Sequence, residues 1–354
     1  MKINFLLPGL SHIPVGGVKV VLEYANKMAE DGHAVTLLYP LKLKVSRPHH
    51  LSFFKQIRFV KKKFLKQVKK ENSAKIWFNL NAAVNEKMIP FLAEKYIPDA
   101  DITFATARVT AEWLNTYSAS KGKKMYLIQH FEDWDGTKEE VDATWKMPLK
   151  KIVISRWLQD YATSLNEESF LVNNGLDFNS YGITTAIENR NPYRLIMLYH
   201  HLEWKGSSDG LQAIETVKEK YPGISLILFG VNKAPAGLPG WIEYHQKPKN
   251  LKTLYNEASI FVSPSWGEGW ALPPAEAMQC GCAAVITDIG GHRDYGINGK
   301  DLLLAPVKNP AGLADAIISL LENNEKRIAL AKSGNATIQK FTWEAAYQKL
   351  KTHF

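Results

Sequence analysis

"IFVSPSWGEGWALPPAEAMQCGCAAVITD", residues 260–288, reads as a strand, a turn, a helix and a second strand. The apolar run "IFVSPS" ends at Ser265, "WGEGW" turns the chain, and "AAVITD" resumes an apolar run after a glycine. Pro273 and Pro274 mark where the helix starts, because a proline in the first turn lacks only an N–H that would have no partner there. The spacing predicts a helix over 273–280, with Glu276 in its first turn and Glu268 in the loop before it. A strand–helix–strand unit of this kind belongs to a parallel sheet covered by helices on both faces.

The same alternation extends in both directions. Toward the N-terminus the strands are "KINFLLP", "AVTLLYP", "ADITFATA", "KMYLIQH", "KKIVIS" and "SFLVNNG". A helix follows the first of them, with Val18, Val21, Leu22, Ala25, Met28 and Ala29 at helical spacing. The stretch 177–193 is polar, without a period, and reads as a connection between domains. Beyond it come "RLIMLYH", "ISLILFG", "IFVSPS", "AAVITD" and "DLLLAP", with helices over 206–220, 250–258, 273–280 and 310–323. The closing "TWEAAYQKLKTHF" places Trp343, Ala346, Tyr347 and Leu350 on one helical face. The expected architecture is α/β: two Rossmann-like, doubly wound parallel-sheet domains facing a central cleft. Their expected bounds are 1–177 and 178–335, with a helical segment 336–354 packing back on the first domain. A chain of 354 residues is long enough for two such cores.

Composition narrows the class. Hydrophobic residues at 45% and charged residues at 22% are those of a soluble globular protein. No apolar run has the length of a membrane span, and "MKINFLLPGL" reads as a first strand rather than a signal peptide. Cys280 and Cys282, one glycine apart, make neither a structural disulfide nor a metal site and read as small buried residues in a reducing compartment. The cytoplasm is the expected location.

The net charge of +9 is concentrated. Between Lys42 and Lys75 twelve Lys and Arg face one acid, Glu71, which leaves the remainder of the chain slightly negative. Within that segment Phe53, Ile57, Val60, Phe64 and Val68 fall on one face of a basic helix, over 51–70. Such a helix either lies on an anionic membrane surface, placing the protein on its inner face, or packs on the domain with a solvated basic side. No nucleic-acid motif accompanies the charge, so nucleic acid is not an expected partner.

The opening stretch also carries chemistry. The N–H groups around Gly269, Trp270, Ala271 and Leu272 approach the positive end of a helix at the carboxyl edge of a parallel sheet, a ready anion site. Glu268 and Glu276 would be repelled by a bound anion and suit neutral hydroxyls instead. A diphosphate between two hydroxylated rings satisfies both demands, which points to a nucleotide diphosphate sugar. The plainer alternative leaves Glu276 favouring the helix dipole and Glu268 solvated.

Here a resemblance adds to the residues. "SPSWGEGWALPPAEAMQCGCAAVITDIGGHRDY", with its glutamate pair, "EAM" helix and "GG" followed by Asp294, resembles the signature of family 4 glycosyltransferases. "NNGLD" (173–177), the "GGV" loop (16–18), "DGHAVTLL" (31–38) and "LEWKG" (202–206) match the family in the right order over most of the chain. The resemblance implies the GT-B fold, a nucleotide-diphosphate sugar donor, a glycan or lipid-linked acceptor, and transfer with retention of anomeric configuration in surface polysaccharide or glycolipid synthesis. It implies that Glu268 lies beside the donor sugar, Glu276 holds the ribose and Lys205 contacts the diphosphate. Where the family has an arginine before that lysine, this chain has His200 and His201, which lack a permanent charge. His130, after "KMYLIQ", is the expected sugar-orienting or catalytic residue. Glu132 and Asp133 either face acceptor hydroxyls or cap the next turn, while Gly16 and Gly17 let backbone approach the ligand.

The implied reaction is front-face transfer. Lys205 and the helix N-terminus stabilise the departing diphosphate, whose own oxygen takes the proton of the attacking hydroxyl. No cofactor or metal is expected, since "PHH" (48–50) is a weak ligand pattern. Base recognition is expected near "EYHQKPKN" (243–250). Two other readings stand beside this one: a phosphorylase or epimerase on the same fold, which the intact glutamate pair disfavours, and a non-catalytic nucleotide- or glycan-binding partner of another transferase, which the absent arginine favours.

Overall fold

The computed structural model describes residues 1–41 and 73–354. The basic helix expected over 51–70, and His49 and His50 of the "PHH" stretch, lie outside the described residues. The chain divides into two compact units, Met1–Asn173 with Ala346–Phe354, and Asn174–Ala345.

The first unit is built on strands β1 (Lys2–Leu6), β2 (Ala34–Pro40), β3 (Asn85–Ile89), β4 (Ile102–Ala105), β5 (Lys123–Ile128), β6 (Lys150–Val153) and β7 (Ser169–Leu171). They form one sheet in the order β3-β2-β1-β4-β5-β6-β7, and every pairing is parallel. Its helices are α1 (Gly16–Glu30), α2 (Arg108–Asn115), α3 (Lys138–Trp145) and α4 (Arg156–Ser164). Ile3, Phe5 and Leu6 of β1 are fully buried because helices cover both faces of the sheet, and Phe5 stacks on Phe104 at 4.8 Å. The apolar stripe of α1 buries Val20, Val21, Leu22, Tyr24, Ala25 and Met28. Strand β3, "NEKMI", has no counterpart in the sequence reading. It is an edge strand with an exposed, polar pattern, so it lacks the apolar run that marks a buried strand.

The second unit has strands β8 (Arg194–Leu198), β9 (Ser225–Gly230), β10 (Ile242–Gln246), β11 (Ile260–Ser263), β12 (Ala283–Thr287) and β13 (Leu303–Ala305). They form a parallel sheet in the order β10-β9-β8-β11-β12-β13. Helices α5 (Ser207–Lys220), α6 (Leu251–Glu257), α7 (Leu272–Gln279), α8 (Pro310–Leu321) and α9 (Asn324–Ile338) complete it. Leu195, Met197, Ile214, Leu226, Val262 and Val285 anchor a single apolar core. The sequence reading had no element at α9 or β10. Helix α9 buries Arg327 and Gly334 alongside Leu330, Ala331 and Ile338, so its buried face is not a purely apolar stripe.

The polar stretch 177–193 falls within the second unit and is firmly tied there. Arg190 is buried and donates to the carbonyls of Thr185, Tyr255, Ala258 and Cys280 and to Asn256 Oδ1. Cys280 and Cys282 are free, buried thiols beside it, pushed up by burial to about 11 and about 12. The last helix, α10 (Trp343–Lys351), runs into the closing residues of the first unit. There Tyr347 Oη and Lys351 Nζ donate to Asp31 Oδ2 at 2.8 and 2.7 Å, at the C-terminal end of α1.

Candidate functional site

In the second sheet β8 lies between β9 and β11, so the winding direction reverses between β8 and β11. Loops leaving the carboxyl ends of those two strands diverge, and that is where open parallel sheets bind ligands. The β8 loop carries "YHHLEWKG" and the β11 loop carries "PSWGEGWA". The topology therefore brings together the two motifs that the sequence singled out.

Lys205 Nζ donates to Glu268 Oε1 at 2.6 Å, and Ser265 Oγ donates to the same oxygen at 2.9 Å. The ammonium also lies 4.2 Å from the centre of the Trp204 ring. Trp266 N–H donates to Trp204 O at 2.8 Å, and Trp266 Nε1 donates to Asp209 Oδ2 at 2.7 Å, so the two loops are stitched together on both sides. Gly206 turns the chain from Lys205 into α5 with φ +64°, and a β-carbon there would lie 2.1 Å from Pro264 O. Only glycine fits a left-handed turn that close to the neighbouring loop.

His200 and His201 stack at 4.8 Å, with His201 exposed. His200 Nδ1 accepts from Leu202 N–H at 3.1 Å, and burial, Lys205 and His201 hold its pKa below the usual 6.5. A neutral imidazole beside Lys205 does not replace arginine's permanent charge.

Helix α7 begins at Leu272, one residue earlier than expected. Glu276 is therefore its fifth residue and lies beyond the first turn, which contains no acid. No side chain caps this end, and Pro273 and Pro274 remove two of its N–H groups, leaving those of Ala271 and Leu272. Ala271 precedes the helix at φ +61°, a strained value for a residue with a β-carbon. Gly269 is buried, and the Trp270 ring is turned inward onto Tyr295 at 5.0 Å and Phe341 at 5.4 Å. Trp270 thus supports the loop from behind. Glu276 is 6% exposed and hydrogen-bonded to Tyr181, whose hydroxyl is held well above its usual pKa by burial and then by Glu276.

One residue of this site had escaped the sequence reading. His292 is fully buried, with Nδ1 2.7 Å from Thr287 O, and burial pushes its pKa down to about 4. Its neighbour Gly291 passes so near the glutamate loop that a β-carbon would lie 2.7 Å from Glu268 O and 2.9 Å from Gly269 O. The "GG" before His292 was the available signal: a glycine needed for backbone contact places the next side chain behind Glu268.

Gly16, Gly17 and His130 are gathered at the carboxyl edge of the first sheet. Gly16 and Gly17 open α1, and Gln129 Nε2 donates to Gly17 O at 3.0 Å. His130 follows β5, its ring 5.0 Å from Trp134 and 6.1 Å from Trp157. Glu132 sits at φ +61°, and its Oε2 accepts from Arg108 N–H at 2.6 Å, so it caps the start of α2 rather than the turn that follows it. Burial outweighs Arg108 and pushes Glu132 up to about 7. Among the described residues no group of three or more His, Cys, Asp or Glu is arranged to hold a metal ion.

Residues 185–337 match the family model described as glycosyl transferases group 1. They are a group 1 glycosyltransferase domain. The span includes Lys205, Glu268, Glu276 and His292, and agrees with the family 4 resemblance of the sequence. Over 99% of its length the chain is 23% identical to a phosphatidyl-myo-inositol mannosyltransferase of Mycobacterium tuberculosis, covering 95% of that protein. It is 29% identical over 164 residues to a D-inositol 3-phosphate glycosyltransferase of Corynebacterium urealyticum, which covers 41% of this chain and 39% of that one. Among solved structures, Anabaena Alr3699/HepE in complex with UDP and glucose superposes with a TM-score of 0.74 at 15% identity, covering 100% and 99% of the two chains. TarM superposes at 0.72 and 13% identity, covering 99% and 98%. The group 1 domain and the unit that precedes it thus have the two parallel-sheet, Rossmann-like folds of GT-B glycosyltransferases.

Proposed function

We propose that the protein transfers a sugar from a nucleotide-diphosphate sugar to a hydroxyl of a glycan or lipid-linked acceptor, with retention of anomeric configuration. The observation that carries this reading is the Lys205–Glu268 pair at the sheet reversal of the group 1 domain. It holds a cation and an acid where a donor needs one for its diphosphate and the other for its sugar hydroxyls. Without donor the two neutralise each other. With donor, Lys205 moves to the diphosphate oxygens and stabilises the charge that grows as the anomeric C–O bond breaks. Glu268 then receives sugar hydroxyls. The acceptor oxygen bonds to the anomeric carbon from the face the diphosphate leaves, and a diphosphate oxygen takes the acceptor's proton. Glu276, next to Tyr181 in α7, is the residue for the ribose hydroxyls.

The glycosyl-transfer activities of the mycobacterial and corynebacterial relatives, and the UDP and glucose bound by the Anabaena protein, support a nucleotide-sugar donor. On this reading the protein works in the cytoplasm on surface polysaccharide or glycolipid, and the basic segment 42–75 addresses an anionic membrane surface. Among the described residues no helix is long and apolar enough to cross a membrane.

The test is a thermal-shift panel of UDP-, GDP-, dTDP- and ADP-sugars, because a ligand of the folded state raises the melting temperature by mass action. One nucleotide should stand out, and Glu276→Ala should abolish its shift. NMR of the released or transferred sugar should then show the donor's anomeric configuration. An inverted product overturns retention, and no shift from any donor overturns the transferase reading. The neutral His200 in place of an arginine favours one alternative, a non-catalytic nucleotide-binding partner. A donor shift with no sugar released or transferred would select it.

A further inference from the structure

The carboxyl edge of the first sheet holds a group for which donor chemistry has no use. Trp134, in the turn after β5, is 61% exposed, and it is the single tryptophan of the chain's ten that is exposed. The turn that presents it is anchored at both ends. On one side the Glu132 carboxylate takes the Arg108 N–H at 2.6 Å. On the other, Gly136 packs so closely that a β-carbon would lie 2.6 Å from Glu140 Oε2 and 3.1 Å from the Arg108 guanidinium. Thr137 and Glu140 then close a reciprocal cap on α3. The indole is held out by a fixed scaffold, so it offers a large, rigid, amphipathic contact area at little conformational cost on binding.

The surroundings of the indole select its ligand. His130 lies 5.0 Å from it, and the Trp157 ring is 6.1 Å from His130, so three rings share this sheet edge. Between Phe131 and Glu140 the sequence carries five acidic residues, of which burial raises Glu132 to about 7, and one lysine; Lys138 is paired with Asp142, and Arg108, the cation against Gly136, with Glu112, each at 2.7 Å. That field repels a phosphate or an inositol phosphate. The two indoles and the imidazole, set among charged groups, are also too small an apolar surface for an acyl chain. A neutral pyranose suits them, with one face of C–H bonds for the electron-rich ring and a rim of hydroxyls for carboxylates and imidazole.

We propose that Trp134 is the platform on which a neutral pyranose ring of the acceptor stacks, with His130 and Trp157 beside it, so that the acceptor is a glycan. This rests on the transferase reading above.

The experiment is saturation-transfer NMR on the full chain with methyl pyranosides of glucose, galactose, mannose, N-acetylglucosamine and N-acetylgalactosamine, and with myo-inositol 1-phosphate as the anionic comparison. At least one pyranoside should receive saturation on its ring C–H protons, and inositol phosphate should receive none. Trp134→Ala should weaken that binding about five- to tenfold, and Trp134→Phe should restore most of it. The donor-dependent thermal shift of Trp134→Ala should equal that of the wild type, which also shows that the variant is folded. If the donor shift is present but no pyranoside is contacted, or Trp134→Ala binds as well as wild type, the platform is wrong and the transferase reading stands. If inositol phosphate binds in place of the pyranosides, the acceptor class is wrong. A wild type without a donor shift removes both readings.

Discussion

Lys205 Nζ meets Glu268 Oε1 at 2.6 Å although the two residues are 63 positions apart in the chain. Each closes a loop at the carboxyl end of a different strand, and those strands, β8 and β11, are neighbours only because the sheet reverses its winding between them. The pair is mostly shielded, with side-chain exposures of 19% and 14%, so each charge needs either its partner or a ligand.

Removing one charge should therefore cost activity far more than stability. Lys205→Ala and Glu268→Gln should each lower donor turnover, read as sugar released, by roughly a hundredfold or more. Their folding free energy should fall by about 1–2 kcal/mol, between the values for exposed and buried pairs. Variants that lose donor turnover only in proportion to a collapse in melting temperature would make the pair structural.

Gly206 and Gly16 should respond in opposite ways to alanine. At Gly206 the left-handed φ and the contact with Pro264 O leave no room, and the substitution should cost about 3 kcal/mol or more in urea unfolding. At Gly16 nothing lies within 4 Å of the added carbon, and stability should change by less than about 0.5 kcal/mol. A tolerated Gly206→Ala would mean the Lys205 loop has freedom that this geometry denies it.

Arg190 ties the 177–193 stretch to α6 and to the residues that follow α6 and α7 through four acceptors, Tyr255 O, Asn256 Oδ1, Ala258 O and Cys280 O, with Thr185 O of the stretch itself as a fifth. Arg190→Met should strand buried carbonyls and cost on the order of 3 kcal/mol or more. Arg190→Lys should recover less than half, because an ammonium cannot reproduce the planar fork. Equal stability of the lysine variant and the wild type in chemical denaturation would show that charge, not geometry, is what this site requires.

Two buried groups should give the stability profile opposing slopes. Glu132 titrates near 7 when folded and near 4.5 in its ordinary state, so over that interval the folded chain holds a proton that the unfolded chain has lost. Its contribution therefore falls as pH rises from about 4.5 to about 7. His292 titrates near 4 when folded against 6.5, so the unfolded chain binds the extra proton and stability rises with pH from about 4 to about 6.5. Glu132→Gln should steepen the rise and His292→Asn should steepen the fall in melting temperature across that range. Unchanged slopes in both variants would place the pH dependence elsewhere.

Much of the fold was legible because buried parallel strands are nearly continuous apolar runs, as in "RLIMLYH" and "ISLILFG", and the helices between them begin at punctuation such as Asn309–Pro310. The edge strands β3 and β10 were not, since half-solvated strands carry polar residues such as Glu86 and Glu243. Helix α9 was hidden because its buried face includes Arg327, an interior position that composition marks as surface.

The sequence alone determined which residue types stand at each strand exit: a lysine before a glycine turn, a glutamate between two glycines, a histidine after β5. Spacing along the chain carries that information because strand and helix periods are local. Only the tertiary structure decided that Lys205 and Glu268 share a proton-bearing contact, that Trp270 points inward, that Glu276 answers to Tyr181, and that His292 stands buried behind the glutamate loop. Those relations depend on strand order and on close passages such as Gly291 against Gly269, which join segments distant in sequence and leave no local period to read.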